Sequence, residues 1–408
     1  MDSGRLLWIS YSFPPEAGVG ALRVTHFIKH LDGSGTASTV ISGPFDGARR
    51  SDPGLAAELP GSCRVVRTNT RFRDFWIRLS ARLPRSEPSR RRFHLEWGSL
   101  YQGHWIESAV SSARSLDAHR LVISTGPPFS AHEIARRIRE RSRIPWIMDV
   151  RDPWPFGPDP ASDEFRSKRE ARWFSSVAAV VATTSEILDV LHGRGLPASV
   201  PTRVIPNGFD DRECPPLLSP WPPEKFCLLY TGNLYGERRI DDVLQAVSRL
   251  VERGSMDRDA IEILLVGQAY PPPPIPENLR EGCRLFPLVP RAELRSYWER
   301  SAVLLLLQPE AYRMCVPTKL FEFLAIGRPI LAVVPLDSPS ARLIREFGTG
   351  HVVAPGDSSS LERTLLDFYT SWRSGTLRPP GRGPGLERYE RSRLAKLLEE
   401  FLPAAHGC

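Results

Sequence analysis

Residues Val316–Val334, V-P-T-K-L-F-E-F-L-A-I-G-R-P-I-L-A-V-V, place a cation and a carboxylate on one turn of a predicted helix. Lys319 and Glu322 are three residues apart, so both side chains project from the same side of that helix. The unpaired N–H groups at a helix start, here near Thr318, can hold a phosphate. Together these groups predict a nucleotide diphosphate lying across the helix end.

The flanking residues indicate how this turn is positioned. Pro317 suits a first helical turn, where its missing N–H is no loss. Gly327 is placed to end the helix in a left-handed conformation, and Pro329 cannot continue it. Ile330–Val334 is then a continuous apolar run, typical of a strand covered on both faces of a parallel sheet.

The composition is that of an ordinary globular protein. The chain has 408 residues, and because domains of about 100–200 residues are common we predict two of them. The net charge is +7, but only five of the 54 basic side chains are lysine. An arginine excess of this kind is better explained by codon bias than by a nucleic-acid interface, so we expect no nucleic-acid partner.

Cysteine spacing and hydropathy indicate the compartment. Six cysteines occur without a C-x-x-C pair, which argues against a zinc site and a disulfide framework. The start of the chain lacks a signal-peptide pattern, and no apolar run approaches the roughly 20 residues that cross a bilayer. We expect a cytoplasmic protein that could also lie on the inner face of the membrane.

A second candidate phosphate site follows the first predicted strand, Arg5–Tyr11. The loop contains Gly18 and Gly20, which allow close backbone approach to a ligand, and a helical pattern begins at Ala21. A dinucleotide fingerprint would need a third glycine where Arg23 stands, which disfavours an NAD-dependent oxidoreductase. The alternative is that both glycines serve only a structural turn.

Polar residues also follow two further predicted strands, at 120–125 and 145–150. In open α/β sheets, ligands bind at the carboxyl ends of the strands. We therefore expect the following residues to face a ligand cleft: Ser124, Thr125, Arg151 and Asp152. The alternative is that Arg151 and Asp152 form a purely structural ion pair.

Residues 71–82, R-F-R-D-F-W-I-R-L-S-A-R, interleave arginines with aromatic and aliphatic side chains. Such a segment could lie on an anionic membrane as a basic amphipathic helix. The alternative is a solvated arginine-rich face on a helix that packs by its apolar residues. Co-sedimentation with anionic liposomes separates the two.

Strands and helices alternate on both sides of a Pro-rich stretch, which indicates two parallel, doubly wound sheets. We predict an N-terminal Rossmann-like domain over residues 1–210, a linker over 211–224, a C-terminal Rossmann-like domain over 225–385 and a terminal helix over 386–408.

Eight segments occur along the chain in the order Y-S-F-P-P-E-A-G-V-G, S-T-G-P-P-F-S-A-H, M-D-V-R-D-P-W, V-I-P-N-G-F-D, L-Y-T-G-N-L-Y-G-E-R-R, I-L-L-V-G, P-T-K-L-F-E-F-L-A-I-G-R-P-I-L and G-T-G-H-V-V. As an ordered set they resemble glycosyltransferase family 4, the retaining enzymes that use nucleotide sugars. The resemblance implies the glycosyltransferase B (GT-B) fold, in which two Rossmann-like domains face each other across a cleft and a C-terminal helix crosses back to the first domain.

The resemblance also implies residue roles in the second domain. Glu322 corresponds to the carboxylate that binds the ribose hydroxyls. In the segment beginning at Gly232, Arg239 fits the second of the family's two basic diphosphate ligands, and Asn233 stands where the first would be. Val289 resembles the wall of the base pocket. From the first domain, the N–H groups of the Gly18–Gly20 loop would also contact the diphosphate.

Two departures from the family pattern concern the sugar. The first of the family's two glutamates is replaced by Met314, and we expect Glu310 or the N–H groups of Cys315 and Val316 to substitute for it. The histidine that many members place near the anomeric carbon is also missing. The segment D-V-R-D-P-W occupies the position of that histidine, so Arg151 and Asp152 are the candidates for its role.

The implied reaction transfers a hexose-type sugar from a nucleotide-diphosphate sugar to an acceptor hydroxyl with retention. Arg239, Lys319 and the helix start near Thr318 would stabilise the departing diphosphate without a metal or a further cofactor. The acceptor is open, and a lipid-linked or cell-surface glycan and a metabolite are both compatible with the sequence. The alternatives are a non-catalytic GT-B relative that acts as a binding or scaffold protein and a nucleotide-sugar epimerase.

Overall fold

The computed structural model describes residues 4–45, 51–68, 102–113, 118–155, 160–215 and 221–406. The chain divides into two compact units. The N-terminal unit comprises Met1–Pro206 together with Arg391–Cys408, and the C-terminal unit comprises Asn207–Glu390. No described helix is both long enough and apolar enough to span a bilayer.

The N-terminal unit is built on a seven-stranded, fully parallel sheet with the order β3-β2-β1-β4-β5-β6-β7. Its strands are β1 (Arg5–Ser10), β2 (Ser38–Ser42), β3 (Arg64–Arg67), β4 (His119–Gly126), β5 (Trp146–Val150), β6 (Ala179–Ala182) and β7 (Thr202–Val204). Its helices are α1 (Val19–Gly33), α2 (Pro53–Ala57), α3 (Ile106–Ser112), α4 (Ser130–Ser142), α5 (Pro160–Phe174) and α6 (Ser185–Gly193). This strand order is the Rossmann order, with its switch point between β1 and β4.

The C-terminal unit is built on a six-stranded parallel sheet with the order β12-β10-β8-β13-β14-β15. Its strands are β8 (Phe226–Thr231), β9 (Leu234–Tyr235), β10 (Ile261–Val266), β11 (Ala269–Tyr270), β12 (Cys283–Phe286), β13 (Val303–Leu307), β14 (Ile330–Val333) and β15 (Gly350–Val353). Its helices are α7 (Asp241–Glu252), α8 (Leu294–Arg300), α9 (Thr318–Ile326), α10 (Pro339–Phe347) and α11 (Ser358–Arg373).

Both faces of this second sheet are covered, which confirms the predicted doubly wound architecture. Phe226, Leu228 and Tyr230 of β8 join the apolar cluster that α7 and α11 complete. Cys227 and Leu229 join the opposite cluster, to which α8, α9 and α10 contribute. Alternate residues of a strand point to opposite faces, so a strand buried on both sides reads as an unbroken apolar run.

The last helix, α12 (Arg391–Phe401), belongs to the N-terminal unit. Leu394 and Leu398 of α12 enter the same apolar cluster as Phe27 of α1. Arg391 donates from Nη1 to Nε2 of the buried His26 at 2.8 Å. The expectation that the terminal helix crosses back to the first domain is therefore confirmed.

Several described elements were not foreseen in the sequence, among them β3 and α5. β3 is a short edge strand, R-V-V-R, whose first two residues are exposed and whose last two are half-buried. α5 buries Ser162, Arg166 and Glu170 at helical spacing, and Arg166 Nη1 lies 2.6 Å from Glu170 Oε2. A helix whose inner stripe is polar carries no apolar periodicity, so pattern analysis misses it.

We expect Leu398→Ala to destabilise the N-terminal unit by about 2–5 kcal/mol, because it removes a buried side chain and leaves a cavity. Urea unfolding monitored by tryptophan fluorescence measures the change. Lys396→Ala on the exposed side of the same helix is the matched control and should change stability by less than about 0.5 kcal/mol. Equal effects of the two substitutions would contradict the packing of α12 on α1.

Candidate functional site

The switch point of the C-terminal sheet lies between β8 and β13, which are hydrogen-bonded neighbours. β8 runs into the turn that begins at Gly232, and β13 runs into the loop 308–317 that leads to α9. In such sheets the two chains leave in opposite directions and open a crevice at their carboxyl ends. Most of the candidate residues follow one of these two strands.

Two glycines allow the backbones of the turns after β8 and β10 to approach each other closely here. Gly232 has φ 117° and Gly267, which follows β10, has φ 149°. A Cβ on Gly267 would lie 2.0 Å from the carbonyl oxygen of Gly232, and a Cβ on Gly232 would lie 3.0 Å from Lys319 Nζ. Both positions therefore require glycine, and the floor of the crevice is backbone.

The start of α9 presents hydrogen-bond donors toward this crevice. Thr318 is buried, and its hydroxyl has no hydrogen-bond partner among the described residues. The N–H groups of Thr318 and Lys319 belong to the first turn and have no carbonyl partner within the helix. The Val316 N–H donates to none of the described residues, while its carbonyl accepts from Asn207 Nδ2 at 3.4 Å. A buried unpaired hydroxyl beside free N–H groups is a site prepared for an anion.

Lys319 is held over the same crevice by two contacts. Its Nζ donates to the carbonyl oxygen of Thr231 at 2.7 Å and lies 4.1 Å from the ring centroid of Tyr230. Burial, together with the positive charge of Arg238, lowers the pKa of the Lys319 ammonium to about 7, while the charge of Glu322 acts in the opposite direction. An incoming anion would favour the protonated form.

Arg238 and Arg239 are placed differently from the sequence expectation. Arg239 is exposed, and its guanidinium pairs with Asp241. Arg238 is partly buried, and its Cζ lies 5.3 Å from the ring centroids of both Tyr235 and Tyr312. The charge of Arg238 acts on Lys319, whereas Arg239, the arginine expected from the sequence, is paired with Asp241 in this structure.

The loop after β13 is braced by Gln308, which is buried. Its amide Nε2 donates to the carbonyl oxygens of Tyr312 and Cys315, and the second bond is 2.7 Å long. The Cys315 N–H donates to the Tyr312 carbonyl oxygen at 3.0 Å, so it is already used within the loop. Glu310 pairs with Arg313 at 2.8 Å at the surface. In this structure the Cys315 N–H and the Glu310 carboxylate therefore already have partners within the loop.

Glu322 is buried one turn further along α9. Its partner is Arg291, whose Nη2 lies 2.7 Å from Glu322 Oε1 and 2.6 Å from Glu213 Oε2. Burial alone would lower the pKa of the Arg291 guanidinium, but the charges of Glu322 and Glu213 outweigh it and raise that pKa. The carboxylate and Lys319 therefore do not form the surface pair that their spacing also allows.

Asn233 and Val289 lie in the turns around the crevice. The Asn233 side-chain oxygen accepts from the Gln268 N–H at 3.2 Å, which joins the turns after β8 and β10. Val289 is half-buried against the apolar cluster that contains α9. An open cavity of about 550 Å³ adjoins these turns and is lined by Gly267, Gln268 and Phe286 among others.

The N-terminal unit has a candidate anion site of its own at the start of α1. Gly18 caps the helix with φ 138°, and its carbonyl accepts from the Leu22 N–H. A Cβ on Gly20 would lie 3.1 Å from Arg151 Nη1, so glycine allows the guanidinium to rest on the helix start. Arg151 donates to the Pro127 carbonyl oxygen, and its buried Nε has no partner among the described residues. Two positive groups in contact favour a bound anion.

Among the polar residues expected to face a cleft, Ser124 and Thr125 do not. The Ser124 hydroxyl is buried between Trp146 Nε1 at 2.7 Å and His132 Nδ1 at 2.8 Å. Thr125 donates to Asp149 Oδ2 at 2.9 Å, a carboxylate that Arg23 also holds through two bonds. As adjacent strand residues, they point to opposite faces of the sheet, and both are buried there.

Asp152 acts on its neighbour by charge. Burial lowers the pKa of Arg151, and the negative charges of Asp152 and Asp149 oppose that shift. Asp152 is half-buried, and no ion pair within 4.0 Å joins it to a described residue.

Residues 71–82, the candidate membrane segment, lie outside the described residues.

Two family models match consecutive parts of the chain. Residues 19–208 match the glycosyl transferase 4-like domain, and residues 225–371 match the domain called glycosyl transferases group 1. The chain therefore contains both domains in tandem. No protein with a curated description matches the sequence.

Solved structures resemble the whole chain. Sucrose-phosphate synthase from Thermosynechococcus elongatus has a TM-score of 0.70 at 15% identity, with 99% of each chain covered. HepE from Anabaena, in complex with UDP and glucose, has a TM-score of 0.65 at 14% identity, with 98% of this chain and 99% of that chain covered. A glycosyltransferase from Rickettsia africae has a TM-score of 0.64 at 12% identity over 100% of both chains. At such identities the likeness establishes the fold.

We expect pyrophosphate affinity to fall with rising pH as Lys319 loses its proton. Since the pKa is about 7, the lysine is charged below that pH and neutral above it. The reference is the pyrophosphate affinity of the Lys319→Arg variant, whose side chain stays charged. Dividing the wild-type affinity by the variant affinity cancels the effect of pyrophosphate's own titration. Titration calorimetry without divalent metal should show this ratio falling by up to about tenfold per pH unit above neutrality. A ratio independent of pH would contradict the site.

Proposed function

We propose that this chain, which has the GT-B fold and carries two glycosyltransferase domains, moves a hexose-type sugar from a nucleotide-diphosphate sugar to an acceptor hydroxyl. The observation that carries the proposal is the start of α9, where the buried Thr318 hydroxyl and the first-turn N–H groups await an anion next to Lys319.

The donor diphosphate would lie across this helix end. Val316, just before α9, and Thr318 and Lys319, at its start, would donate to its oxygens, and Arg238 would add charge from the turn after Gly232. A guanidinium and an ammonium are the usual protein ligands of phosphate oxygens. Arg239 and Asn233 remain candidates of the same turn, Arg239 on release of Asp241.

The nucleoside would extend from the diphosphate toward the second half of α9. Glu322, one turn along, accepts hydroxyl donors and suits a ribose, and Val289 with the cavity beside Gly267 and Phe286 suits a base. Structures of HepE hold UDP-glucose, and one of a trehalose-6-phosphate protein from E. coli holds UDP-2-fluoro glucose. Uridine nucleotides are therefore the first donors to test.

Transfer breaks the bond between the anomeric carbon and a phosphate oxygen and forms one to the acceptor oxygen. The acceptor proton passes to the departing diphosphate, and charge grows on that diphosphate as the bond lengthens. Lys319, Arg238 and the α9 start would stabilise it, in a metal-independent reaction that retains anomeric configuration. Arg151 and Asp152 are our candidates near the sugar from the N-terminal unit, with Gly18 and Gly20 contributing N–H groups to an anion.

We propose a cytoplasmic enzyme of cell-surface glycan, glycolipid or metabolite glycosylation, with a lipid-linked acceptor if residues 71–82 contact the membrane. The replacement of a family glutamate by Met314 favours one other function, a non-catalytic nucleotide-sugar-binding protein on the same fold. Donor hydrolysis and transfer assays separate an enzyme from such a protein.

We expect Thr318→Val to weaken diphosphate binding without loss of stability. Removing an unpaired buried hydroxyl costs the folded protein nothing, whereas the ligand loses a hydrogen bond worth about tenfold in affinity. UDP, GDP and ADP are tested by thermal shift and the strongest binder by titration calorimetry. Thr349→Val is the matched control, since Thr349 is also buried with an unpaired hydroxyl but precedes β15 at the amino end of the strand. Equal affinity of both variants would count against the α9 site.

Product stereochemistry tests the retaining reaction. With an α-linked donor and an acceptor found by screening, we expect NMR of the initial product to show an α-linkage. A β-linkage would exclude retention while leaving transfer itself intact, and no product from any donor that binds would favour the non-catalytic alternative.

A further inference from the structure

Arg291 lies on the turn L-V-P-R between β12 and α8, away from the diphosphate end of the crevice. The sequence assigns it no role. In the structure it is the described residue that joins Glu322 of α9 to Glu213, which stands in the stretch before β8.

The contacts form a clamp of one cation between two carboxylates. The same Nη2 atom lies 2.7 Å from Glu322 Oε1 and 2.6 Å from Glu213 Oε2. The side chain of Glu322 is only 7% exposed, whereas that of Arg291 is 29% exposed. Burying a charged group is costly unless it is paired, and here Arg291 holds Glu322 while Glu213 holds Arg291 in turn.

The clamp also leaves one hydrogen-bond donor of Arg291 available to a ligand. Arg291 Nε is buried and has no hydrogen-bond partner among the described residues. A guanidinium presents its N–H groups in one rigid plane, so the Nε donor and the carboxylate bound by Nη2 share one orientation. A donor and an acceptor fixed side by side match the two functions of a sugar hydroxyl.

We propose that Arg291 is the positioning residue for ribose recognition, holding Glu322 so that the carboxylate accepts from the ribose hydroxyls, with Glu213 anchoring Arg291. The inference rests on the proposed function and deepens it, because it makes the site selective for ribonucleoside over 2′-deoxyribonucleoside diphosphates. Free pyrophosphate, which has no ribose, does not engage the clamp.

The test compares three probes by titration calorimetry. They are the best binder among UDP, GDP and ADP, its 2′-deoxy analogue, and pyrophosphate. Wild type should bind the ribonucleotide about 10- to 100-fold more tightly than the 2′-deoxy form, as expected for one hydrogen bond to a charged group. Arg291→Gln and Glu213→Gln should each bring this ratio close to one while pyrophosphate affinity stays within about twofold. Arg291→Lys, which restores the charge without the fork, should recover part of the ratio.

The matched control is Arg300→Gln, which breaks another arginine pair with a largely buried carboxylate, Glu262, at 2.8 Å. Arg300 precedes β13, at the end of the strand opposite the crevice, so its loss should leave the ratio as in wild type. Circular dichroism of each variant reports folding, and Glu213→Gln keeps the test decisive if Arg291→Gln is poorly folded.

Three results would overturn the inference. The first is an undiminished ratio in both Arg291→Gln and Glu213→Gln. The second is a parallel loss of pyrophosphate affinity, which would mark Arg291 as a purely structural support of the crevice. The third is a wild type that binds none of the nucleotides, which would overturn the proposed function as well, whereas the first two leave it intact.

Discussion

The pairing of β8 with β13 is the constraint on which the candidate site depends. These strands are neighbours in the sheet although β10 and β12, on the other side of β8, lie between them in sequence. Their pairing brings the Gly232 turn beneath the start of α9, and the close approach of Gly267 makes that floor bare backbone. Lys319 then reaches across the gap to the last carbonyl of β8. Without this register the same residues would be scattered along an ordinary sheet edge.

Charge is distributed along α9 in a graded manner. Its first turn offers only positive groups, namely free N–H donors and Lys319, and its second offers the carboxylate of Glu322, which Arg291 holds. The helix dipole adds to the same gradient, since its positive end coincides with the lysine. A ligand with a doubly charged diphosphate at one end and neutral hydroxyls at the other fits this gradient. A simple phosphate would use only half of it.

Most elements of the fold were predictable because each buried strand is a run of apolar residues and each neighbouring helix has an apolar stripe. α9 begins at Thr318 and ends before Gly327 in a left-handed cap, as its sequence indicates. Prediction failed where burial is polar. α5 hides Ser162, Arg166 and Glu170, and Ser124 points into the interior instead of a cleft. Spacing also does not decide between Arg238 and Arg239, since adjacent residues in a turn differ in direction by geometry that the sequence does not encode. Arg291 could have been suspected only from tertiary contact with Glu322.

The position of α12 has a consequence for how the protein is made. Leu394, Leu398, Leu402 and Ala405 belong to the core that α1 and β1 begin. The first part of this core is therefore synthesised before the C-terminal unit, and its last part, α12, is synthesised after it. Until then the side of α1 that packs against α12 lacks that cover, so a nascent N-terminal unit exposes apolar surface that can associate wrongly. The C-terminal unit, whose sequence is contiguous, depends on no such later segment.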